Sequence, residues 1–346
     1  MQAAVFVGAR QVELRTDLAV PVITDARDAV VRITRSAICG TDLSAYRGHL
    51  PQFAPGTILG HEFTGVVVEA GAAAGHKPGL RVVGSDIVAC GRCPACIHGW
   101  HYQCPEVTLF GYSTVVGRPL AGAQAEYVRV PNADVVLAEI PAGLTDEQAL
   151  FTGDVLATGF QASCAAGFRL GDTVAVVGGG PLGVTAGLCA HVAGAGAVIV
   201  AEPNPARRAA VAEHGLLPAE PDDLARVVRE ASGGRGARAV IEAVGTDAAL
   251  GLALDVAGPH STVIVIGAHH AQDFPFPTGA GFARELTVRF VVGNPILVRD
   301  ELFALIRSGR LDPTVIVSHR LPLSDAVHAY RLFDRQEATK VVLVND

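Results

Sequence analysis

The sequence predicts an α/β protein in two parts, a β-rich domain followed by a doubly wound parallel-sheet domain. Three observations predict it. Residues 1 to about 150 read as short β-branched strands broken by Gly and Pro, the pattern of a compact all-β domain with inserted loops. From about Asp146 the chain instead alternates short apolar strands with Ala-rich helical stretches, which builds a parallel sheet covered on both faces. At one strand-to-helix junction of this second region stands a glycine-rich turn, Gly178-Gly-Gly-Pro-Leu-Gly183.

In the first region the runs 30–34, 63–69, 81–84 and 125–130 are β-branched and bounded by turn residues. The second region opens with helices over 147–151 and 158–167. A buried strand covers 174–177 and a helix 181–194. The next strand covers 197–201, followed by helices over 205–214 and 222–231. Strands over 239–243 and 262–266 flank a helix over 247–256, and 287–292 is the last strand of the sheet. After Pro295 come a helix over 299–308 and a β-α-β tail ending in 340–344. No solenoid-period repeat or low-complexity tract is present. The 346 residues suit two domains, read as 1–154 and 155–294, with 295–346 returning to the first.

Half of the residues are hydrophobic and 18% are charged, which suits large buried cores. The net charge is −7 and no basic stretch would track a phosphate backbone, so nucleic acid is not a partner. No apolar run approaches the length of a membrane span. The first seven residues lack the charged start and longer apolar core of a signal peptide. A cytoplasmic location is expected. The seven cysteines, four of them tightly spaced, argue for metal rather than disulfides.

The glycine-rich turn is G-x-G-x-x-G between a strand and a helix. Gly178 permits the tight turn, Gly180 lets a pyrophosphate approach the backbone, and Gly183 lets helix and strand pack closely. Pro181 suits the first helical turn, where with Leu182 it opens a helix whose N-terminus faces phosphate. Glu202 ends the next strand, nineteen residues after Gly183. An acidic residue there accepts hydrogen bonds from the adenosine ribose and repels a 2′-phosphate, so NAD is favoured over NADP. Arg207 and Arg208 lie just beyond and work against that preference. The alternative for Glu202 is an exposed turn residue.

Cys90, Cys93, Cys96 and Cys104 supply four thiolates within fifteen residues. Four sulfurs close a tetrahedron around one zinc and leave no open site, so this zinc is read as structural; an iron–sulfur cluster is the chemical rival. Cys164 and Cys189 sit in Ala-rich helical stretches and read as packing residues. The other metal-ligating types are Cys39 in Cys39-Gly-Thr-Asp42, His61 in Gly60-His-Glu62, and Asp154 far downstream. We read Cys39, His61 and Asp154 as three ligands of a second zinc with its fourth position open, which marks a catalytic site. Their charges balance the ion and leave it electrophilic. Taken singly each residue reads as structural, as a lone cysteine usually is; the second cluster counts against coincidence.

With these motifs the chain resembles the zinc-dependent alcohol dehydrogenases of the medium-chain dehydrogenase/reductase superfamily, over essentially its whole length. The resemblance rests on Cys39-Gly-Thr-Asp42, Gly60-His-Glu-x-x-Gly65 with Gly71 beyond, the four spaced cysteines and the Gly178–Gly183 turn. It implies a GroES-like catalytic domain with a structural-zinc lobe at about 88–106, and a Rossmann NAD-binding domain. The family's third catalytic ligand lies just before a Thr-Gly pair, here Thr158-Gly159, which points to Asp154. Glu62 matches a glutamate that swings in as a transient zinc ligand. Thr41 matches the hydroxyl that contacts the substrate oxygen. Many members carry a His five residues after the first zinc cysteine that passes the proton to solvent; here that position is Ser44. The proton then leaves through the cofactor ribose and Ser44 or water, with His49 as a lesser stand-in. Thr158, Val265 and Gly267 fall at cofactor positions, the last two near the nicotinamide ring. Lys340 matches a basic position that contacts the pyrophosphate in some members; its alternative is a solvated charge entering the last strand.

The resemblance implies hydride transfer between a secondary-alcohol or polyol-type hydroxyl, or its ketone, and NAD, with two zinc ions per chain. One alternative is an aldehyde-oxidising or dismutating enzyme of the formaldehyde dehydrogenase type, which shares phrases like Gln124-Ala-Glu-Tyr-Val128. Another, of a different class, is a non-catalytic nucleotide-binding protein on the same fold, which would be expected to lose zinc ligands. The runs Gly48–Phe53 and Gly111–Gly117 are guesses for pocket walls. A homo-oligomer is expected, tetramer before dimer, joined along 287–292.

Overall fold

A computed structural model describes residues 1–50, 52–269 and 273–345. They form two compact units: 1–154 with 294–308 and 317–346, and 155–293 with 309–316.

The first unit is built on a seven-stranded sheet. Its hub is the strand Ala29–Ile38, whose β-branched residues bury most of both faces. This strand pairs antiparallel with Val341–Val344, Glu62–Ala70 and Tyr127–Val130. Arg81–Gly84 and Leu137–Glu139 extend the sheet beyond Glu62–Ala70, and His319–Pro322 lies parallel on the outer side of Val341–Val344. Phe63 and Phe110 meet edge-on in one core, ring centroids 5.2 Å apart, a geometry that contributes about 1 kcal/mol beyond area burial. Ile38, Tyr46, Leu59, Ile87 and Tyr330 anchor a second core.

Register places the chemistry. Ala37 stands opposite Glu62 and Ile38 opposite Val341. Cys39 therefore leaves the hub strand at the end where His61 enters one neighbour and Lys340 the other. Asp154 arrives by a separate route: the N–H of Asp86, just past strand Arg81–Gly84, donates to Gly153 O at 2.9 Å.

The second unit holds a six-stranded, all-parallel sheet, in the order Leu217–Ala219, Ala197–Ala201, Thr173–Val177, Ala237–Glu242, Ala257–Val265, Thr287–Phe290. Every residue of Thr173–Val177 is buried, as a strand covered on both faces requires. Strand order reverses at Thr173–Val177, the switch point where such sheets bind ligands.

Several elements differ from the sequence reading. The helix Gly40–Tyr46, the helix Thr278–Ala283 and the strand Leu217–Ala219 carry too short a pattern to be read from periodicity. The strand read over 262–266 begins at Ala257, crossing a register irregularity. The expected single return over 295–346 is interrupted, because 309–316 groups with the second unit, where Arg310 donates to Val192 O at 3.2 Å. Among the described residues no helix is long and apolar enough to cross a membrane.

Candidate active site

Cys39, His61, Glu62 and Asp154 each offer one ligand atom, and these atoms lie within 4.8 Å of one another. Cys39 Sγ is 3.6 Å from Asp154 Oδ2, and His61 Nε2 is 3.3 Å from the same oxygen. Tetrahedral zinc at its usual bond lengths separates sulfur and oxygen by about 3.6 Å, and nitrogen and oxygen by about 3.3 Å. The donor set and its spacing fit zinc. Thr41 Oγ1 lies 3.8 Å from Cys39 Sγ. Ser44 follows Thr41 by three residues in the helix Gly40–Tyr46, a spacing that puts both on one helix face.

Glu62 turns to Lys340, whose Nζ is 2.6 Å from Oε2 and 2.8 Å from Oε1. Both side chains are buried, 0% and 1% exposed. Lys340 is therefore not a solvated charge, and it is not presented to a pyrophosphate as the resemblance implied: its ammonium is buried against the Glu62 carboxylate.

An outer layer of side chains surrounds the candidate ligands. Asp42 Oδ1 is 3.3 Å from His61 Nδ1, while Oδ2 accepts the Cys39 N–H at 2.9 Å and a Gln124 Nε2–H at 3.2 Å. Gln124 Oε1 accepts the Tyr330 hydroxyl at 2.8 Å. All three side chains are fully buried. One carboxylate thus sets both Cys39 and His61, as ligand-orienting partners do elsewhere. The available signal was Asp42 three residues after Cys39, where it closes a capping box on the helix.

Electrostatics follow from burial. Burial pushes the Cys39 thiol up, and the Asp154 charge adds to it. Burial alone would depress His61, but Asp42, Asp154 and Cys39 raise it well above an ordinary imidazole. Burial also opposes ionisation of Asp154, yet its bond to His61 and the charges of His61 and Lys340 prevail, holding it at about 2. Asp86, buried and unmarked in the sequence reading, is raised well above the carboxylate range by burial and by Asp154.

Cys90, Cys93, Cys96 and Cys104 form the second cluster. Cys90 and Cys96 sulfurs are 3.9 Å apart, against about 3.8 Å expected around tetrahedral zinc. Backbone N–H groups of Cys90, Cys93, Cys96 and Glu106 donate to the Cys104, Cys90 and Cys93 sulfurs at 3.3–3.5 Å, which stabilises thiolates. Cys189 is buried, but Cys164 is exposed and does not serve as a packing residue.

In the second unit, strand Thr173–Val177 runs into Gly178 at φ +105°. A Cβ on Gly183 would sit 1.8 Å from Gly178 O, while one at Gly180 would meet nothing within 4 Å. The space over Gly180, with Pro181 and Leu182 opening the helix Pro181–Val192, suits a pyrophosphate. Glu202 is buried rather than an exposed turn residue. Its oxygens accept the N–H groups of Gly179 and Asn204, each at 2.9 Å. Arg208 donates to the carbonyls of Glu202 and Pro203 and to Glu220. Arg207 lies in the first turn of the helix Pro205–Glu213, its N–H bonded to Asn204 Oδ1. Thr158 lies in the helix Val155–Ala165, close against Gly293. Val265 ends its strand and Gly267 follows it. Of the guessed pocket walls, Leu50, Phe53 and Tyr112 are core residues, and Pro51 lies outside the described residues.

Residues 25–142 match the alcohol dehydrogenase GroES-like domain, and residues 181–308 match the zinc-binding dehydrogenase domain. The chain belongs to the zinc-dependent medium-chain alcohol dehydrogenases. This dehydrogenase is 35% identical to an alcohol dehydrogenase of Cupriavidus necator, over 97% of this chain and 96% of that one. It resembles the solved alcohol dehydrogenase TADH from Thermus sp. ATN1 with a TM-score of 0.95 and 40% identity, covering 99% of both chains. A Sinorhizobium meliloti protein solved with NADP bound has a TM-score of 0.86 and 28% identity, over 99% of each chain. The dehydrogenase is a zinc-dependent oxidoreductase acting on alcohols.

Proposed function

We propose that this dehydrogenase moves a hydride between a secondary-alcohol or polyol-type hydroxyl, or its ketone, and NAD. The spacing of Cys39, His61 and Asp154 carries the reading, since it suits an ion that keeps one position open. Zinc in this set supplies Lewis acidity toward an alcohol oxygen, and a nicotinamide supplies the hydride acceptor. Thr41 takes the alcohol proton, and Ser44, one turn on, passes it toward water. Asp42 keeps the Nε2 of His61 turned to the metal position by holding Nδ1. Glu62, held by Lys340, is the spare ligand for exchange.

Gly178, Gly180, Pro181, Leu182 and Gly183 cradle the pyrophosphate, and Glu202 receives the adenosine ribose. The engagement of Arg208 with two carbonyls and Glu220 supports NAD over NADP, because that cation is not turned to a 2′-phosphate. Thr158, Val265, Gly267 and Arg207 complete the cofactor set. A structural zinc sits on the four clustered cysteines, giving two zinc ions per chain. The unbridged cysteines support a cytoplasmic enzyme. The edge strand Thr287–Phe290, with Phe290 and nearby Val292 exposed, supports a homo-oligomer; the order tetramer before dimer rests on the resemblance.

A substrate panel followed by NADH absorbance, with NAD and NADP in parallel and Asp154→Ala as control, tests the reading. Secondary alcohols, polyols, cyclitols and small aldehydes belong on it. NAD-dependent turnover of alcohols, lost in the control, is the expected result. Turnover only with NADP overturns the role of Glu202, and turnover only of aldehydes favours the formaldehyde dehydrogenase type. Light scattering reads the oligomeric state.

A further inference from the structure

We propose that Glu242 and His269 form a positioning pair that fixes the backbone at Gly267 for the nicotinamide end of the cofactor. The proposal rests on the reading of Val265 and Gly267 as cofactor residues.

Glu242 ends the strand Ala237–Glu242 and is fully buried. A buried carboxylate is costly unless donors satisfy it. Here Oε1 accepts the N–H groups of Val244 and Gly245, both at 2.7 Å. Oε2 lies 3.1 Å from Nε2 of His269. The backbone carbonyl of Glu242 in turn accepts the N–H groups of Ile266 at 2.9 Å and Gly267 at 3.1 Å. One residue thus ties its own turn to the end of the neighbouring strand.

The two turns touch backbone to backbone. A Cβ on Gly267 would lie 2.1 Å from Gly245 N, and one on Gly245 would lie 2.4 Å from Ala268 O. On its other side the same turn meets the phosphate-binding loop, since a Cβ on Gly178 would lie 2.7 Å from Val244 Cγ2. Gly178, Val244–Gly245 and Gly267 therefore follow one another across the carboxyl ends of three adjacent strands. Gly267 stands two strand spacings, about 10 Å, from the phosphate turn. With no side chain of its own, Gly267 is held by its N–H bond to the Glu242 carbonyl and by its packing on Gly245, and His269, two residues on, ties the backbone that follows to the Glu242 carboxylate. His269, partly buried, is the only side chain among the described residues within hydrogen-bond distance of the Glu242 carboxylate.

The test titrates wild type, His269→Ala and His269→Gln with NADH, by its fluorescence, and with ADP-ribose, which lacks the nicotinamide, by calorimetry. Loss of one charge-assisted hydrogen bond predicts about tenfold weaker NADH binding in His269→Ala, with ADP-ribose changed by less than about twofold. His269→Gln, whose amide can donate to Oε2, recovers most of the loss. In steady state the KM for NAD rises more than kcat falls. Unchanged NADH binding in His269→Ala, or an equal loss of NADH and ADP-ribose, overturns the proposal. A wild-type protein that binds neither ligand overturns the cofactor reading itself, and the pair's role with it.

Discussion

The ammonium of Lys340 lies 2.6 Å from Oε2 of Glu62, and the two side chains are among the most deeply buried charges in the protein. They come from strands on opposite sides of Ala29–Ile38 and meet at the end that also carries Cys39 and His61. Lys340→Met leaves a buried carboxylate unpaired close to Asp154. It should lower the unfolding free energy by about 3–5 kcal/mol. Adding Glu62→Gln should restore a large part of it, and denaturant unfolding of the single and double variants checks both.

Asp154→Ala should lose the catalytic zinc and nearly all activity. Metal analysis should fall from about two zinc ions per chain to about one, with the circular dichroism of the fold kept. Retained turnover at the lower zinc content would remove Asp154 from the ligand set.

Asp42→Asn should weaken zinc at the catalytic site about 10–100-fold, because His61 Nδ1 loses its carboxylate and the Cys39 N–H a charged acceptor. Chelator competition measures it. Tyr330→Phe, two links further out through Gln124, should have a smaller effect in the same direction.

Cys93→Ser should act through stability. An ion on the four cysteines would add to the small core of the lobe around 88–106, which consists mainly of those cysteines themselves. Soluble yield and Tm should fall, while folded protein retains the catalytic zinc and its kcat.

Zinc uptake at the catalytic site should depend steeply on pH. In the metal-free protein burial and Asp154 hold the Cys39 thiol up, and the carboxylates around His61 keep its imidazole protonated against the pull of burial. Zinc takes only thiolate and neutral imidazole. Binding near neutrality therefore expels about two protons, and apparent affinity should rise by up to about a hundredfold per pH unit. The rise should flatten above the raised values of the two groups. A pH series of chelator titrations checks the sign; affinity that falls with rising pH would contradict the protonation of this set.

Chemistry that is local in the chain is legible in the order of its residues. Cys90 to Cys104 reads as a closed metal site because four sulfurs fall within one loop. The Gly178–Gly183 turn reads as a phosphate cradle because its strand and helix flank it directly. Strand and helix periodicity sufficed for the two-part α/β architecture. Contacts between residues far apart in the chain come from the folding of the sheets. Tyr330 carries no pattern of its own, and the resemblance that marks Lys340 and Gln124 does not tell which groups they touch. All three reach the candidate metal site because antiparallel register sets Ile38 opposite Val341, because Gln124 bonds across to Ala37 and Asp42, and because Tyr330 donates to Gln124. Glu242 and His269 lie 27 residues apart and meet only because adjacent parallel strands end side by side. Spacing along the chain encodes neither contact, since a sheet brings residues together by register rather than by sequence distance.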